Sequence, residues 1–167
     1  GIDMTAGSLG QGLSAAVGMA LAGKLDRKNY RVYCMVGDGE AQEGQIWEAL
    51  MYAAHKKLDN LLVLLDYNKL QIDGPLSEIN SLEPLAAKAE AFGFFTRSVD
   101  GHDFQALDAA LDAAAGTAGR PSFIILNTIK AKGACFAEGQ VSSHHTTVSN
   151  DNLKAALAAL EAKGGSN

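Results

Sequence analysis

Residues 31–44 read Arg31-Val32-Tyr33-Cys34-Met35-Val36-Gly37-Asp38-Gly39-Glu40-Ala41-Gln42-Glu43-Gly44, and the fold of this chain turns on that stretch. Arg31 to Val36 is a short apolar segment of strand length that stops at a glycine-rich turn. A helical pattern follows, and then Leu61 to Leu65 forms a second apolar run leading into Asp66-Tyr67-Asn68-Lys69-Leu70. Strand, helix and strand in this order make a β-α-β unit, whose crossover leaves the two strands parallel and neighbouring. The turns at Gly37 to Gly39 and at Asp66 to Leu70 therefore leave the same sheet edge, where Asp38 and Asn68 can face one another.

A carboxylate and an amide oxygen at one edge suit Mg²⁺ or Ca²⁺, hard cations that take oxygen ligands. Gly37 and Gly39 strip side chains from beside the carboxylate, so backbone N–H groups can approach an anion. The helix beginning soon after Gly44 aims its N-terminus at the same place, which favours phosphate. A metal diphosphate is the simplest guest. Asp38 taken alone is an ordinary turn aspartate; the second motif at the next strand end makes the pair a site. A nicotinamide fold would call for GxGxxG at the first turn, and a bare pyrophosphate would be repelled by Asp38 inside it. The Walker pattern GxxxxGK[ST] is absent from the sequence.

GDGEAQEGQIWEA followed by NLLVLLDYNKLQIDG resembles the thiamine diphosphate motif of transketolases. The resemblance covers nearly the whole chain, from Thr5-Ala6-Gly7-Ser8-Leu9-Gly10-Gln11-Gly12 to His144-His145. It implies that Asp38 and Asn68 are side-chain ligands of Mg²⁺, with Ca²⁺ as a substitute, and that Leu70 supplies its backbone carbonyl. Diphosphate oxygens and water would complete a near-octahedral shell. By the same resemblance Gly7, Leu9, Gly37 and Gly39 border the cofactor. Glu43 matches a glutamate near the dimer interface that orients the glutamate activating the aminopyrimidine. His144 matches a histidine that approaches diphosphate and sugar, positioning substrate and handling protons, while His145 faces solvent or steadies the loop. Two departures stand out: Ser8 replaces a proline common in relatives, and SSHHTTV lacks part of the glycine-rich context around the histidine.

The activity implied is transfer of a two-carbon ketol unit from a ketose phosphate to an aldose phosphate, with thiamine diphosphate as nucleophile and electron sink. The expected partners are a second copy in a homodimer or a complementary C-terminal transketolase subunit, so the chain resembles an N-terminal domain or N-terminal split subunit. Residues 1–167 are expected to form a single thiamine diphosphate and Mg²⁺ domain lacking its N-terminal portion, with the pyrimidine-binding and C-terminal domains absent. The isolated chain is accordingly expected to be inactive. Other enzymes of the cofactor class, a dehydrogenase E1 component or a deoxyxylulose-phosphate synthase, are the alternatives, together with a nonenzymatic cofactor-binding or assembly subunit.

With 167 residues, 47% of them hydrophobic and only 3 prolines, the chain suits one domain with a substantial core. A formal charge of -5 gives no general case for nucleic acid, so any phosphate site is local. The 2 cysteines, Cys34 and Cys135, are too few for a disulfide scaffold, and Cys34 within a core strand reads as a small buried hydrophobe. No transmembrane stretch or signal-peptide pattern is present, and a cytoplasmic protein that binds no membrane is expected.

Alternating strand and helix patterns predict a three-layer α/β/α domain with a mostly parallel central sheet. The spacing predicts helices over 11–25, 82–92 and up to Ala115, and strands over 94–99 and 122–128. Trp47 is expected to be structural, and His102 to be a hydrogen-bonded turn histidine. Residues 130–149 lack regular periodicity and suit a lid or subunit-contact loop. A last helix is expected after Asn150 or Asp151, packing through Leu153, Leu157 and Leu160, with a frayed tail from Gly164 to Asn167.

Overall fold

The computed structural model describes residues 1–164, with side chains through Ala162. Four strands form one wholly parallel sheet in the order β1-β2-β6-β5: β1 (Val32–Gly37), β2 (Leu61–Tyr67), β5 (Phe95–Asp100) and β6 (Ser122–Asn127). A two-stranded antiparallel hairpin, β3 (Leu70–Gln71) and β4 (Gly74–Pro75), hangs beyond the end of β2. The helices are α1 (Gln11–Leu25), α2 (Gly44–His55), α3 (Leu76–Ile79), α4 (Leu85–Ala91), α5 (Phe104–Ala115) and α6 (Asn150–Gly164).

Helices cover both faces of the sheet, as the alternating pattern predicts. On one face Leu13, Val17 and Ala20 of α1, Ile46, Leu50 and Ala53 of α2 and Leu85 and Ala89 of α4 close over Cys34, Val36, Val63, Leu65, Phe123 and Ile125. On the other, Ala110 and Ala114 of α5 pack on Leu62, Phe95, Ile124 and Leu126. Each fully buried leucine contributes about 1.5–3 kcal/mol relative to exposure, so the first face dominates stability. The second layer stops short of β1, where Tyr33 and Met35 are 57% and 59% exposed. Strand alternation explains the split: Cys34 and Val36 point to the covered face, and Tyr33 and Met35 to the other.

Helix α1 buries Leu13, Ala16, Val17 and Ala20 at the predicted spacing. Asp103 caps α5 by accepting from the backbone N–H groups of Gln105 and Ala106. Trp47 donates its indole N–H to the Ala41 carbonyl at 3.0 Å and packs against Phe92 with ring centroids 6.0 Å apart, a structural role. Cys34 is buried in β1, and burial followed by the Glu40 charge pushes its thiol up to about 11.

Three expectations are corrected. The helix placed over 82–92 begins only at Leu85, because Pro84 has no N–H to donate and disfavours a helical residue before it. Leu82 is still buried, but from the preceding loop. The stripe of α6 does not pack as expected: Leu153, Leu157 and Leu160 are each about half exposed, and Ala156 is buried. Gly164, expected to open the tail, belongs to α6, and residues 165–167 lie outside the described residues. Among the described residues no helix is long and apolar enough to cross a membrane.

Candidate functional site

All four main strands are parallel, so β1, β2, β5 and β6 end at one edge, the position at which open α/β sheets bind ligands. The register pairs Gly37 with Asp66, which sets Asp38 one residue past the end of β1. Its N–H donates to the Asp66 carbonyl at 3.2 Å, continuing the ladder into the turn. Asp38 is 2% exposed, the one buried charged residue among those described. Gly39 N–H donates to Asp38 Oδ1 at 2.8 Å, and Lys69 N–H donates to Oδ2 at 2.5 Å. Burial is the main force raising the Asp38 carboxyl above its ordinary value; these two N–H groups and Lys130 oppose it, and Asp66 adds to it.

Asn68 follows β2 directly. Its Oδ1 accepts the Leu70 N–H at 3.1 Å, and its Nδ2 donates to Asp66 Oδ2 at 3.4 Å, which defines the oxygen and nitrogen ends of the amide. Lys69 adopts φ 67°, in the left-handed region, and so reverses the chain between Asn68 and the hairpin. The hairpin determines the direction of the Leu70 carbonyl. Leu70 lies opposite Pro75, and Leu76 N–H donates to the Lys69 carbonyl at 3.0 Å, so Lys69 belongs to a bonded pair and Leu70 to a non-bonded one. Antiparallel alternation therefore turns the Leu70 carbonyl away from β4.

The donor set is a carboxylate, an amide oxygen and a backbone carbonyl, all hard oxygens gathered on two adjacent loops. This chemistry fits Mg²⁺ and also Ca²⁺, and does not suit soft metals. Among the described residues no group of three or more His, Cys, Asp and Glu side chains could hold a metal. The Lys69 N–H bond to Asp38 Oδ2 joins the loop that carries Asp38 to the loop that carries Asn68 and Leu70.

The remaining candidates lie around this centre. Gly37 and Gly39 flank Asp38, while Gly7 and Leu9 lie in the exposed approach to α1. Glu43 is the exposed N-cap residue of α2, in extended conformation with no side-chain bond to the helix. It packs against the approach loop: a Cβ at Gly10, where φ is 88°, would lie 3.3 Å from Glu43 Cβ. His144 lies on a 3-10 turn at 141–145 that contacts β3. Lys130 Nζ donates to His144 Nδ1 at 3.3 Å. An ammonium has only donors, so this bond needs a neutral ring with its proton on Nε2. Burial, then Lys130, then His145 hold His144 below its ordinary value, in agreement with a neutral ring. His145 is exposed and meets His144 edge to face at 5.0 Å. His102 accepts the Ile129 N–H at 2.8 Å, the turn role expected of it.

Sequence reasoning missed four residues. Asp66 accepts from both Asn68 and Thr128, joining the loops after β2 and β6. Lys130 influences Asp38 and His144 together. Glu40 accepts backbone N–H groups from Gly10 and Gly37. A carboxylate closing the apolar run of β2 was the available signal for Asp66; for Thr128, Lys130 and Glu40 the signal is tertiary.

Residues 1–164 match the family described as transketolase, thiamine diphosphate binding domain. The chain is 53% identical over 164 residues to the 6-deoxy-6-sulfo-D-fructose transketolase subunit SqwG of Clostridium sp. (strain MSTE9), covering 98% of this chain and 60% of that protein. It is 38% identical to an apulose-4-phosphate transketolase subunit of Actinobacillus succinogenes, covering 96% of this chain and 58% of that one. The crystal structure of transketolase from Campylobacter jejuni superposes with a TM-score of 0.89 at 34% identity, over 95% of this chain and 26% of that chain. The chain thus spans less than two thirds of the length of each of these relatives. Sheet order, the two-part loop motif and these matches lead to one statement: the chain belongs to the transketolase family, as its N-terminal thiamine diphosphate-binding domain.

Proposed function

We propose that this chain is the cofactor-binding portion of a transketolase that moves a two-carbon ketol unit between sugar phosphates once its assembly is complete. The observation that carries this reading is the Lys69 N–H bond to Asp38 Oδ2, which joins the loops bearing Asp38 and Asn68-Lys69-Leu70 at one sheet edge. Asp38, Asn68 and the Leu70 carbonyl would hold Mg²⁺ against the diphosphate, with Gly7, Leu9, Gly37, Gly39 and His144 around the cofactor. When bound, thiamine diphosphate supplies the carbon nucleophile and the electron sink. The protein's own part is to neutralise and orient the diphosphate, and to offer the His144 Nε2–H as a donor or proton carrier near substrate. Glu43, exposed beside the approach loop, is available to a partner carrying the pyrimidine-binding domain, either a second copy or a complementary C-terminal subunit. The Clostridium and Actinobacillus relatives are both named as subunits, which favours the split arrangement.

The test is a ketol-transfer assay on the isolated chain and on the complete assembly. The isolated chain should give no turnover above a cofactor-only control, and the assembly should prefer a ketose phosphate to pyruvate as donor. A preference for pyruvate would move the protein to the dehydrogenase E1 or deoxyxylulose-phosphate synthase branch of the cofactor class. One relative is named for 6-deoxy-6-sulfo-D-fructose, so the sulfonated ketose belongs beside the phosphates in the donor panel. A complete assembly that binds cofactor and turns over no donor would favour the nonenzymatic reading.

A further inference from the structure

The glycine-rich approach to α1 and the Gly37-Asp38-Gly39 turn are far apart in sequence, and one side chain joins them. Glu40 Oε1 accepts the Gly10 N–H at 2.9 Å, and Oε2 accepts the Gly37 N–H at 3.2 Å. Both donors are otherwise hard to satisfy. Gly10 is the N-cap residue of α1, has φ 88° and is buried, with no side-chain cap at this helix end. Gly37 is the last residue of β1, an edge strand of the sheet with a neighbour on one side only. Glu40 is itself half-buried in the 3-10 turn Glu40–Gln42, so the two bonds are shielded from solvent on one side. It lines a groove of about 810 Å³ whose other wall includes Thr5, Ala6 and Gly12.

We infer that Glu40 is a positioning residue, a carboxylate clamp that sets the spacing between the Thr5–Gly12 loop and the diphosphate turn. This rests on the cofactor reading proposed above, since Gly7 and Leu9 lie on one side of the clamp and Asp38 on the other. Each oxygen holds one backbone N–H, so the carboxylate acts as a rigid two-point spacer. Glutamine keeps one acceptor oxygen and presents an NH₂ to the second donor, and so can restore only half of the clamp. The charge adds a second effect: a carboxylate at the N-terminus of α1 complements the helix dipole and stiffens the loop leading into it. Glu40 touches no reacting atom, so its removal acts on the loop's position and through it on cofactor affinity.

The experiment uses the assembled protein and the variants Glu40→Ala and Glu40→Gln. In the cofactor-free state, hydrogen exchange at residues 5–12 and 37–39 should speed up about tenfold or more in Glu40→Ala, the scale of hydrogen bonds to a charged group, with exchange in β2 and β6 unchanged. Calorimetry with Mg²⁺ and thiamine diphosphate should show an affinity about tenfold weaker. Turnover at saturating cofactor should stay within about twofold of wild type, because the reacting groups are intact. Glu40→Gln should fall between wild type and alanine in both readouts. Unchanged exchange at 5–12 in Glu40→Ala overturns the clamp. Faster exchange with unchanged cofactor affinity makes Glu40 a structural brace only and overturns its role toward the cofactor. If the wild-type assembly shows no Mg²⁺-dependent binding of thiamine diphosphate, the cofactor reading fails and this inference falls with it.

Discussion

The backbone N–H of Lys69 donates to Asp38 Oδ2 at 2.5 Å, so the loop after β2 holds the carboxylate of the loop after β1. Lys69 can do this because its φ of 67° turns the N–H back toward the sheet edge. Its own side chain takes no part in that bond, and lies with Nζ 5.3 Å from the centre of the Tyr67 ring. A buried carboxylate held by two backbone donors and raised above its ordinary value is a poorly compensated charge, which a divalent cation would compensate.

Asp38→Ala should weaken Mg²⁺-dependent thiamine diphosphate binding in the complete assembly by more than the roughly 10–100-fold typical of outer-shell partners. Trp47→Phe should change it much less, because a smaller ring keeps part of the packing against Phe92. Calorimetric titration ranks the two. Equal affinity for wild type and the Asp38 variant would remove Asp38 from the ligand set.

His144→Ala should impair ketol transfer more than His145→Ala while leaving most cofactor binding intact. The reason is geometric: Lys130 Nζ bonds His144 Nδ1 and leaves Nε2–H as its donor, so that this hydrogen bond orients the His144 ring. Turnover and cofactor affinity, measured separately, decide it. A larger turnover defect at His145 would reassign the role.

The Tyr67 hydroxyl donates to Glu83 Oε1 at 2.6 Å, and Glu83 Oε2 accepts the Leu85 N–H at 2.9 Å. Burial, then Glu83, pushes the Tyr67 phenol up to about 12, and the Tyr67 bond is the first cause holding Glu83 below its ordinary value. Tyr67→Phe should cost about 1 kcal/mol at neutral pH. A depressed carboxyl stabilises the fold above its unfolded pKa and loses that contribution as pH falls through the folded one. The difference between wild type and variant should therefore shrink in acid, below the ordinary glutamate range. Denaturant melts across pH provide the check, and a difference that grows in acid would contradict the assignment.

Cys135 is exposed, while Cys34 is buried with its thiol pushed up to about 11. Thiolate is the reactive form, so a thiol reagent at neutral pH should label Cys135 readily and Cys34 only on unfolding. Mass spectrometry of the labelled peptides reads this directly. Equal labelling of both in the folded protein would show that β1 is less well covered than described.

The strands, the crossover and the meeting of the loops after β1 and β2 were legible in the sequence because they depend on local information. Continuous apolar runs mark buried parallel strands, and a β-α-β crossover leaves two strand ends at one edge whatever the rest of the chain does. Trp47 as a packing residue was legible for the same local reason. The α6 stripe misled because helical spacing shows which residues share a face and says nothing about what that face meets. Leu70 was assigned by resemblance alone; the physical basis for its free carbonyl is the hairpin register against Pro75. Glu40, Thr128 and Lys130 came into view only in three dimensions, because each gains its role from donors, acceptors or charges that approach across long stretches of chain. Sequence determined which loops converge, through the strands that carry them, and tertiary structure decided which side chains hold those loops together, because hydrogen-bond partners at a sheet edge depend on distances that no periodicity encodes.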